Sequence, residues 1–120
     1  MKLKAYILDT CSTCQRIMKE INWSDNDNIQ DIKTNKITTT QLEEMCNMAG
    51  SYEKLFSRRA MKYKELNLKD KNLSEEDYKR YILEEYTFLK RPVFIINDLI
   101  YIGNSKKTVE QVKQQLETIK

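Results

Sequence analysis

The sequence predicts an α/β fold in which a small β-sheet is interrupted by a block of helices. Three observations predict it: a strand–helix–strand pattern in the first 34 residues, successive helical periodicities in the middle, and two apolar runs with a closing helix after the only proline, Pro92. A 120-residue chain can bury roughly two thirds of its unfolded surface without disulfides. We therefore expect a single domain over residues 1–120, with a helical insertion at about 37–90.

The N-terminal part reads as a β-α-β unit. Residues 3–8, "LKAYIL", form an apolar run typical of a short buried strand. The next apolar positions repeat at helical spacing, and they are Cys14, Ile17, Met18 and Ile21. Residues 22–28, "NWSDNDN", favour a loop, and residues 29–34, "IQDIKT", favour a weak second strand.

The middle of the chain predicts about three helices. Thr40 and Glu43 have the spacing of a capping box, and Gly50 can end the helix that follows. The apolar face of that helix comprises Leu42, Met45, Cys46 and Ala49. Residues 58–67, "RRAMKYKELN", favour a second helix, and a third begins near Ser74. The repeating positions of the third are Tyr78, Tyr81, Ile82 and Glu85.

The last third predicts a hairpin and a helix. "VFIINDLIYIG" contains two β-prone runs around Asn97-Asp98, residue types that tolerate the positive φ of a tight turn. Ser105 is a candidate N-cap for the helix that follows. One side of that helix carries Val109, Val112, Leu116 and Ile119. The element order is β-α-β, helices, β-β-α.

Charge and composition limit the partners. The 21 basic and 18 acidic residues are mixed along the chain and give a net charge of +3, which argues against direct nucleic-acid binding. The sequence shows no apolar run long enough to span a membrane and no signal-peptide pattern at its start. With only three cysteines, we expect a reducing, cytoplasmic setting, and a monomer is the default expectation.

The motif Cys11-Ser12-Thr13-Cys14 lies between the first strand and the first helix. If the strand ends near Leu8 and the helix begins near Ser12, Cys11 sits at the helix N-terminus, where free amides and the helix dipole favour a thiolate. Cys11 is therefore the expected nucleophile. Cys14 lies one turn further along the apolar face, which suits a shielded resolving thiol.

Other interpretations of the cysteines remain open. Both could be small buried hydrophobes, and Cys46, on the apolar face of another helix, is better explained by core packing than by redox work. A zinc site needs about four ligands, but the chain has no histidine and only three cysteines. We therefore expect no metal site and no bound cofactor.

Four segments together resemble the arsenate reductase-related (ArsC/Spx) branch of the thioredoxin superfamily. They are "CSTCQ" at 11–15, "LFSRRAMKYKEL" at 55–66, "FLKRPVFI" at 88–95 and "YIG" at 101–103. The resemblance runs nearly end to end. It implies a thioredoxin/glutaredoxin-like, mixed four-stranded sheet with an inserted helical subdomain, in agreement with the element order.

The resemblance also implies a set of site residues. Pro92 matches a proline that is usually cis and lies beside the reactive cysteine, although a trans proline opening a strand is the alternative. Arg91 matches an arginine that helps hold the oxyanion near the thiolate, unless it is a solvated surface residue. Ser12 and Thr13, within the motif, are assigned to oxyanion binding as well.

Arg59 is the expected second oxyanion-binding arginine, and Arg58, its neighbour on the same predicted helix, would point about 100° away. The chain departs from the family after the hairpin. Glutathione-linked arsenate reductases have a further arginine where this chain has Asn104, which argues against efficient arsenate reduction. Lys106 and Lys107 are nearby, but lysine cannot reproduce the bidentate geometry, and both could be solvated.

The resemblance implies two functions. The first is a thiol oxidoreductase that acts on a small oxyanion or disulfide and is reduced by glutathione/glutaredoxin or thioredoxin as an external redox partner. The second is an Spx-like redox-sensing regulator that binds the RNA polymerase alpha subunit, which the CxxC and Gly50 favour. Because the chain ends at the closing helix without a basic tail, we expect an enzyme-like member. A member that keeps the fold without either activity is a third possibility.

Overall fold

The computed structural model describes residues 2–23 and 28–119 of the chain, and these ranges contain four β-strands and five α-helices. The strands are β1 (Leu3–Ile7), β2 (Ile29–Asp31), β3 (Val93–Ile96) and β4 (Leu99–Ile102). The helices are α1 (Ser12–Ile21), α2 (Thr39–Ala49), α3 (Met61–Glu65), α4 (Glu75–Glu84) and α5 (Lys106–Thr118). Short 3-10 turns occupy Glu53–Leu55, Leu68–Asp70 and Tyr86–Phe88.

The four strands form one mixed sheet in the order β2-β1-β3-β4. The β1 and β2 strands are parallel, with Ala5 opposite Ile29, as expected for strands joined through a helix. The β1–β3 and β3–β4 pairs are antiparallel. The predicted mixed α/β sheet is therefore confirmed, and so is the hairpin, whose turn residue Asn97 has a φ of 55°.

The chain forms two compact units. The first comprises Met1–Asn35 and Arg91–Lys120 and contains the sheet with α1 and α5, and the second comprises Lys36–Lys90 and contains α2, α3 and α4. The expectation of one domain with an insertion at 37–90 stays a prediction. None of the helices in the described ranges has both the length and the apolar character that crossing a bilayer requires.

The core of the first unit contains most of the apolar positions predicted for the sheet and its helices, but Met18 and Ile119 are only half-buried. All four residues of β3 are buried, as expected for a strand inside the sheet. Trp23 packs against Phe94 with ring centroids 5.4 Å apart. The buried faces of α1 and α5 consist of Cys14, Ile17, Ile21, Val109, Val112 and Leu116. These faces fix the position of α1, whose first turn carries the cysteine motif.

The second unit is organised around aromatic side chains. Phe56 stacks on Phe88 at 5.0 Å between ring centroids and meets Tyr78 at 4.9 Å. A backbone bridge between Phe56 and Leu89 joins the two segments, and the Ser57 N–H donates to the Phe88 carbonyl at 2.7 Å. The burial of Phe56 and Phe88 therefore comes with paired backbone groups on both segments.

The start of α2 was predicted in the wrong frame. The capping box is formed by Thr38 and Gln41, not by Thr40 and Glu43: the Gln41 N–H donates to Thr38 Oγ1, and the Thr38 N–H donates to Gln41 Oε1, both at 3.0 Å. With Thr38 as the N-cap, the residue before the cap is Ile37, and Ile37 is buried. Gly50 ends α2 with a φ of 102°, as predicted.

Two other elements are shorter than predicted. The β2 strand ends at Asp31, because the Asp31 carboxylate accepts hydrogen bonds from the Lys33 N–H and the Thr34 hydroxyl and starts a turn. The predicted helix at 58–67 forms only over Met61–Glu65. Of the predicted loop at 22–28, residues 24–27 lie outside the described part of the chain.

Candidate active site

Cys11 is the N-cap of α1, the position that the sequence predicts. The strand β1 ends at Ile7, and the Cys11 N–H donates to the Leu8 carbonyl at 2.9 Å, which closes a turn between strand and helix. The Cys11 carbonyl then accepts the first helical hydrogen bond, from the Gln15 N–H at 3.0 Å. This turn leaves the Cys11 side chain half-buried, beside the free amides of the first turn of α1.

The surroundings of Cys11 favour its thiolate. Burial alone raises the pKa of the Cys11 thiol, but the backbone N–H groups of Cys14 and Thr13, the Cys14 thiol and the Arg91 charge together outweigh burial and lower it. Within the described residues of α1, the Cys11 side chain makes no capping hydrogen bond. The N–H groups of Thr13 and Cys14 are therefore available to a negatively charged sulfur. The Cys11 thiol is thus easier to ionise than an ordinary thiol, and its role as the nucleophile stays a prediction.

Cys14 has the opposite character. Its side chain is buried, with 1% of its surface exposed. Burial raises the pKa of the Cys14 thiol to about 11, and the neighbouring Cys11 adds to this effect, although the Leu8 N–H and Arg91 favour the charged form. The surroundings of Cys14 therefore favour its protonated thiol, those of Cys11 favour its thiolate, and no disulfide joins the two in this structure.

Arg91 and Pro92 join the site through the start of β3. The Arg91–Pro92 peptide bond is cis, as the resemblance implied. Arg91 is half-buried, and its charge lowers the pKa of both Cys11 and Cys14. The Pro92 carbonyl accepts a hydrogen bond from the Gly103 N–H at 2.9 Å, which ties the start of β3 to the end of β4. Arg91 is thus a cation, within the described part of the chain, that favours the charged form of both sulfurs.

Ser12 and Thr13 are the first two residues of α1. Ser12 is exposed and Thr13 is half-buried. The backbone N–H of Thr13 helps to lower the pKa of the Cys11 thiol. Their assignment to oxyanion binding stays a prediction. Sequence reasoning missed Leu8, whose contribution is a backbone N–H and carbonyl and so leaves no trace in side-chain patterns.

Arg59 and Arg58 belong to the second unit and do not lie on a helix, which corrects the prediction. They form a turn before α3, where the Ser57 hydroxyl accepts the Arg59 N–H at 3.3 Å. Arg58 Nη2 donates to Glu53 Oε2 at 2.8 Å and to the Tyr78 hydroxyl at 3.0 Å. The Arg59 side chain is exposed, and its role in oxyanion binding stays a prediction.

The residues after the hairpin are exposed. Asn104, Lys106 and Lys107 surround the N-terminus of α5, where Ser105 Oγ accepts the Thr108 N–H at 3.2 Å. The local N-cap is therefore supplied by Ser105, as predicted. Lysines in the first turn of a helix are unfavourable to its dipole, so they do not stabilise α5.

Cys46 belongs to α2 and not to the cysteine motif. Cys46 is half-buried rather than part of the core, and burial followed by the Glu75 charge raises the pKa of its thiol, the opposite direction to the shift at Cys11. Within residues 2–23 and 28–119, no group of three or more histidine, cysteine or acidic side chains is placed to hold a metal ion.

Comparisons with known proteins agree on one family. The model of the ArsC family matches residues 6–112. A protein of Bacteroides fragilis, named as ArsC family related, is 24% identical with a TM-score of 0.76, and the match covers 93% of this chain and 98% of that chain. An arsenate reductase from Vibrio cholerae is 19% identical with a TM-score of 0.74, covering 95% and 97%.

A third solved structure, an arsenate reductase (ArsC) related protein from Brucella melitensis, is 17% identical with a TM-score of 0.70, and the match covers 92% of this chain and 93% of that chain. At these identities, the structures establish the fold alone, and they confirm the predicted thioredoxin-like class. No protein in the curated collection matches the chain.

Proposed function

The chain belongs to the ArsC family, and on that basis we propose that it is a thiol oxidoreductase of the arsenate reductase type. Cys11 is the nucleophile and Cys14 the resolving thiol. The observation that carries the proposal is the placement of Cys11 at the N-cap of α1, facing two backbone N–H groups and the charge of Arg91, with Cys14 buried one turn away.

With a disulfide substrate, the Cys11 thiolate attacks one sulfur, forms a mixed disulfide and releases the other sulfur as a thiolate. Cys14, once deprotonated, attacks the Cys11 sulfur and releases the second substrate thiolate. The protein is left with a Cys11–Cys14 disulfide, and the substrate has gained two electrons. An external thiol, glutathione/glutaredoxin or thioredoxin, returns those two electrons to the protein.

With an oxyanion such as arsenate, the thiolate condenses with the As(V) centre and water leaves. Attack of Cys14 on the Cys11 sulfur then breaks the S–As bond, whose electron pair stays on arsenic as As(III). Arg91, with Ser12 and Thr13, holds the negative oxygens, since a guanidinium and backbone N–H groups suit an oxyanion. The assignment of Arg59 to oxyanion binding stays an expectation from the family resemblance.

The order of the two attacks follows from the charges. Burial is the main cause of the raised pKa of Cys14, but the adjacent Cys11 thiolate adds to it. When Cys11 becomes covalently modified, its negative charge disappears, while Arg91 remains. The pKa of Cys14 therefore falls at the stage when its thiolate is needed, and Cys14 stays protonated before that stage.

The second candidate is a redox-sensing regulator that binds the RNA polymerase alpha subunit. The observation that favours it is the contact between the Cys11 and Cys14 thiols, together with Gly50, which is exposed at the end of α2. In this case the change between dithiol and disulfide would control binding rather than turnover. Both candidates are proposed for a cytoplasmic, monomeric protein.

One experiment separates the candidates. Turnover of arsenate and of a small disulfide is measured with glutathione/glutaredoxin and with thioredoxin, beside a pull-down with the polymerase alpha subunit. Turnover that is lost in Cys11→Ser and kept in Cys46→Ser supports the oxidoreductase. Binding without turnover selects the regulator, and neither binding nor turnover contradicts both.

The substrate can be tested through Asn104. If the missing arginine limits arsenate binding, Asn104→Arg should lower the KM for arsenate and leave the reduction of a small disulfide unchanged. The matched control is Lys107→Arg, which keeps a positive charge at a neighbouring exposed position. A disulfide substrate is favoured if Asn104→Arg changes neither rate.

A further inference from the structure

Two side chains outside the cysteine motif hold the backbone of Asp9, in the turn between β1 and α1. Gln15 Nε2 donates to the Asp9 carbonyl at 2.7 Å. On the other side, the Asp9 N–H donates to Asp31 Oδ1 at 3.3 Å. Gln15 belongs to the first turns of α1, and Asp31 is the last residue of β2. Both polar groups of the Asp9 backbone are therefore tied, one to a helix and one to a strand.

The two anchors are themselves held in place. Asp31 lies opposite Ile7 in the parallel β1–β2 pair, and its carboxylate also accepts the Lys33 N–H at 3.3 Å and the Thr34 hydroxyl at 3.1 Å. Gln15 donates its own backbone N–H to the Cys11 carbonyl at 3.0 Å. Gln15 thus contacts the turn twice, through its backbone at Cys11 and through its side chain at Asp9.

Asp9 directly follows Leu8, whose backbone contacts both cysteines. Its neighbour Leu8 accepts the Cys11 N–H at 2.9 Å and directs a backbone N–H at the Cys14 sulfur. The preference of Cys11 for the thiolate depends on the distance from its sulfur to the N–H groups of Thr13 and Cys14, since such interactions weaken with separation. A looser Asp9 would let the Cys11 sulfur move away from these donors.

We propose that Gln15 and Asp31 are positioning residues for Cys11: by fixing Asp9 from both sides, they hold the nucleophile against the amides of α1. The inference rests on the proposed function, because it assigns the two side chains a task only if Cys11 is the nucleophile. Both act through the backbone of Asp9 and are given no contact with substrate.

The first test removes the Gln15 side chain. Gln15→Ala deletes the donor to Asp9 without weakening α1, because alanine is the best helix former. The rate of Cys11 alkylation by iodoacetamide at pH 7 should fall about three- to tenfold, the factor that one net hydrogen bond supports. The pH midpoint of the reaction should rise. Gln111→Ala, at an exposed position of α5, is the matched control and should leave both unchanged.

The second test separates position from charge at Asp31. Asp31→Asn keeps an oxygen that can accept the Asp9 N–H but removes the negative charge, and Asp31→Ala removes both. Positioning predicts a raised midpoint in Asp31→Ala and a midpoint near wild type in Asp31→Asn. If charge alone mattered, both variants would lower the midpoint, since a nearby negative charge disfavours a thiolate. That result overturns the inference.

Amide hydrogen exchange separates this inference from the proposed function. A wild-type Cys11 with an ordinary alkylation midpoint contradicts the proposed function, whatever the variants do. Exchange of the Asp9 and Cys11 N–H groups reports the restraint without involving the thiol. Faster exchange in Gln15→Ala, with the unfolding free energy retained, supports the restraint on Asp9. Unchanged exchange together with an unchanged midpoint rejects it.

Discussion

Removing Cys11 should eliminate the fast reaction of this protein with iodoacetamide, whereas removing Cys14 should preserve it. The two cysteines lie three residues apart in one helical turn, yet their environments act in opposite directions. The pKa of Cys11 is lowered despite partial burial, because amides and Arg91 favour its thiolate. The pKa of Cys14 is raised by burial. The thiolate is the form that reacts, so the reaction rates should differ accordingly.

The size of the difference follows from the raised pKa of Cys14. Its value rises from 9.0 to about 11, which reduces the thiolate fraction at neutral pH about 100-fold relative to an ordinary thiol. Because the pKa of Cys11 is shifted the other way, the two thiolate fractions should differ by more than about 100-fold. In Cys11→Ser the neighbouring negative charge is gone, but burial remains, and burial is the largest cause of the raised pKa.

The assay uses reduced protein in a Cys46→Ser background, so that only the two thiols of interest remain. Cys11→Ser and Cys14→Ser are treated with iodoacetamide at pH 7, and the modified fraction is followed by mass spectrometry of the intact protein. A comparison of Cys14→Ser with Cys14→Ala tests the donor to Cys11, which serine keeps and alanine lacks. The reasoning is refuted if the Cys14 thiol reacts within tenfold of the Cys11 thiol.

Three other predictions concern charge, pH and backbone. Arg91→Ala should raise the alkylation midpoint of Cys11 and weaken anion binding, while Arg91→Lys should keep most of the effect on the midpoint; equal midpoints in all three proteins would remove Arg91 from the site. Cys14 should make the reduced protein less stable at high pH, because the unfolded thiol ionises near 9 and the folded one near 11. Its contribution is complete below pH 9 and falls by about 2–3 kcal/mol as the pH rises to 11, measured as the difference in unfolding free energy between wild type and Cys14→Ala. Gly50→Ala should cost about 1–2 kcal/mol in urea denaturation, because its φ of 102° disfavours a side chain; a cost near zero would contradict this.

The parts of the fold that depend on neighbours in sequence could be predicted. The strand–turn–helix around Cys11, the hairpin turn at Asn97 and the cap at Ser105 each follow from a few adjacent residues. The frame of α2 could not be predicted in this way. Both Thr38–Gln41 and Thr40–Glu43 satisfy the capping pattern, and the cap that forms is Thr38, which directly follows the buried Ile37.

The turn at Arg58 and Arg59 is a second feature that the local sequence could not predict. The residues from 58 to 67 have ordinary helix propensity, and the pattern favours a continuous helix. In the folded unit, Arg58 instead reaches Glu53 and Tyr78, and the Ser57 hydroxyl binds the Arg59 N–H. The partner Tyr78 is 20 residues away in sequence, so the competition between turn and helix is decided by contacts that no local pattern contains.

The candidate site depends both on neighbouring residues and on residues distant in sequence. That Cys11 precedes Cys14 by one helical turn is local, and it is enough to predict which sulfur faces the free amides and which faces the core. The strength of that asymmetry is not local, because Arg91 reaches both sulfurs from a segment 77 or more residues away in the numbering, and Asp31 holds the turn from the next strand. A substitution at Arg91 or Asp31 is therefore expected to change the reactivity of Cys11 even though the Cys11–Cys14 motif itself is unaltered.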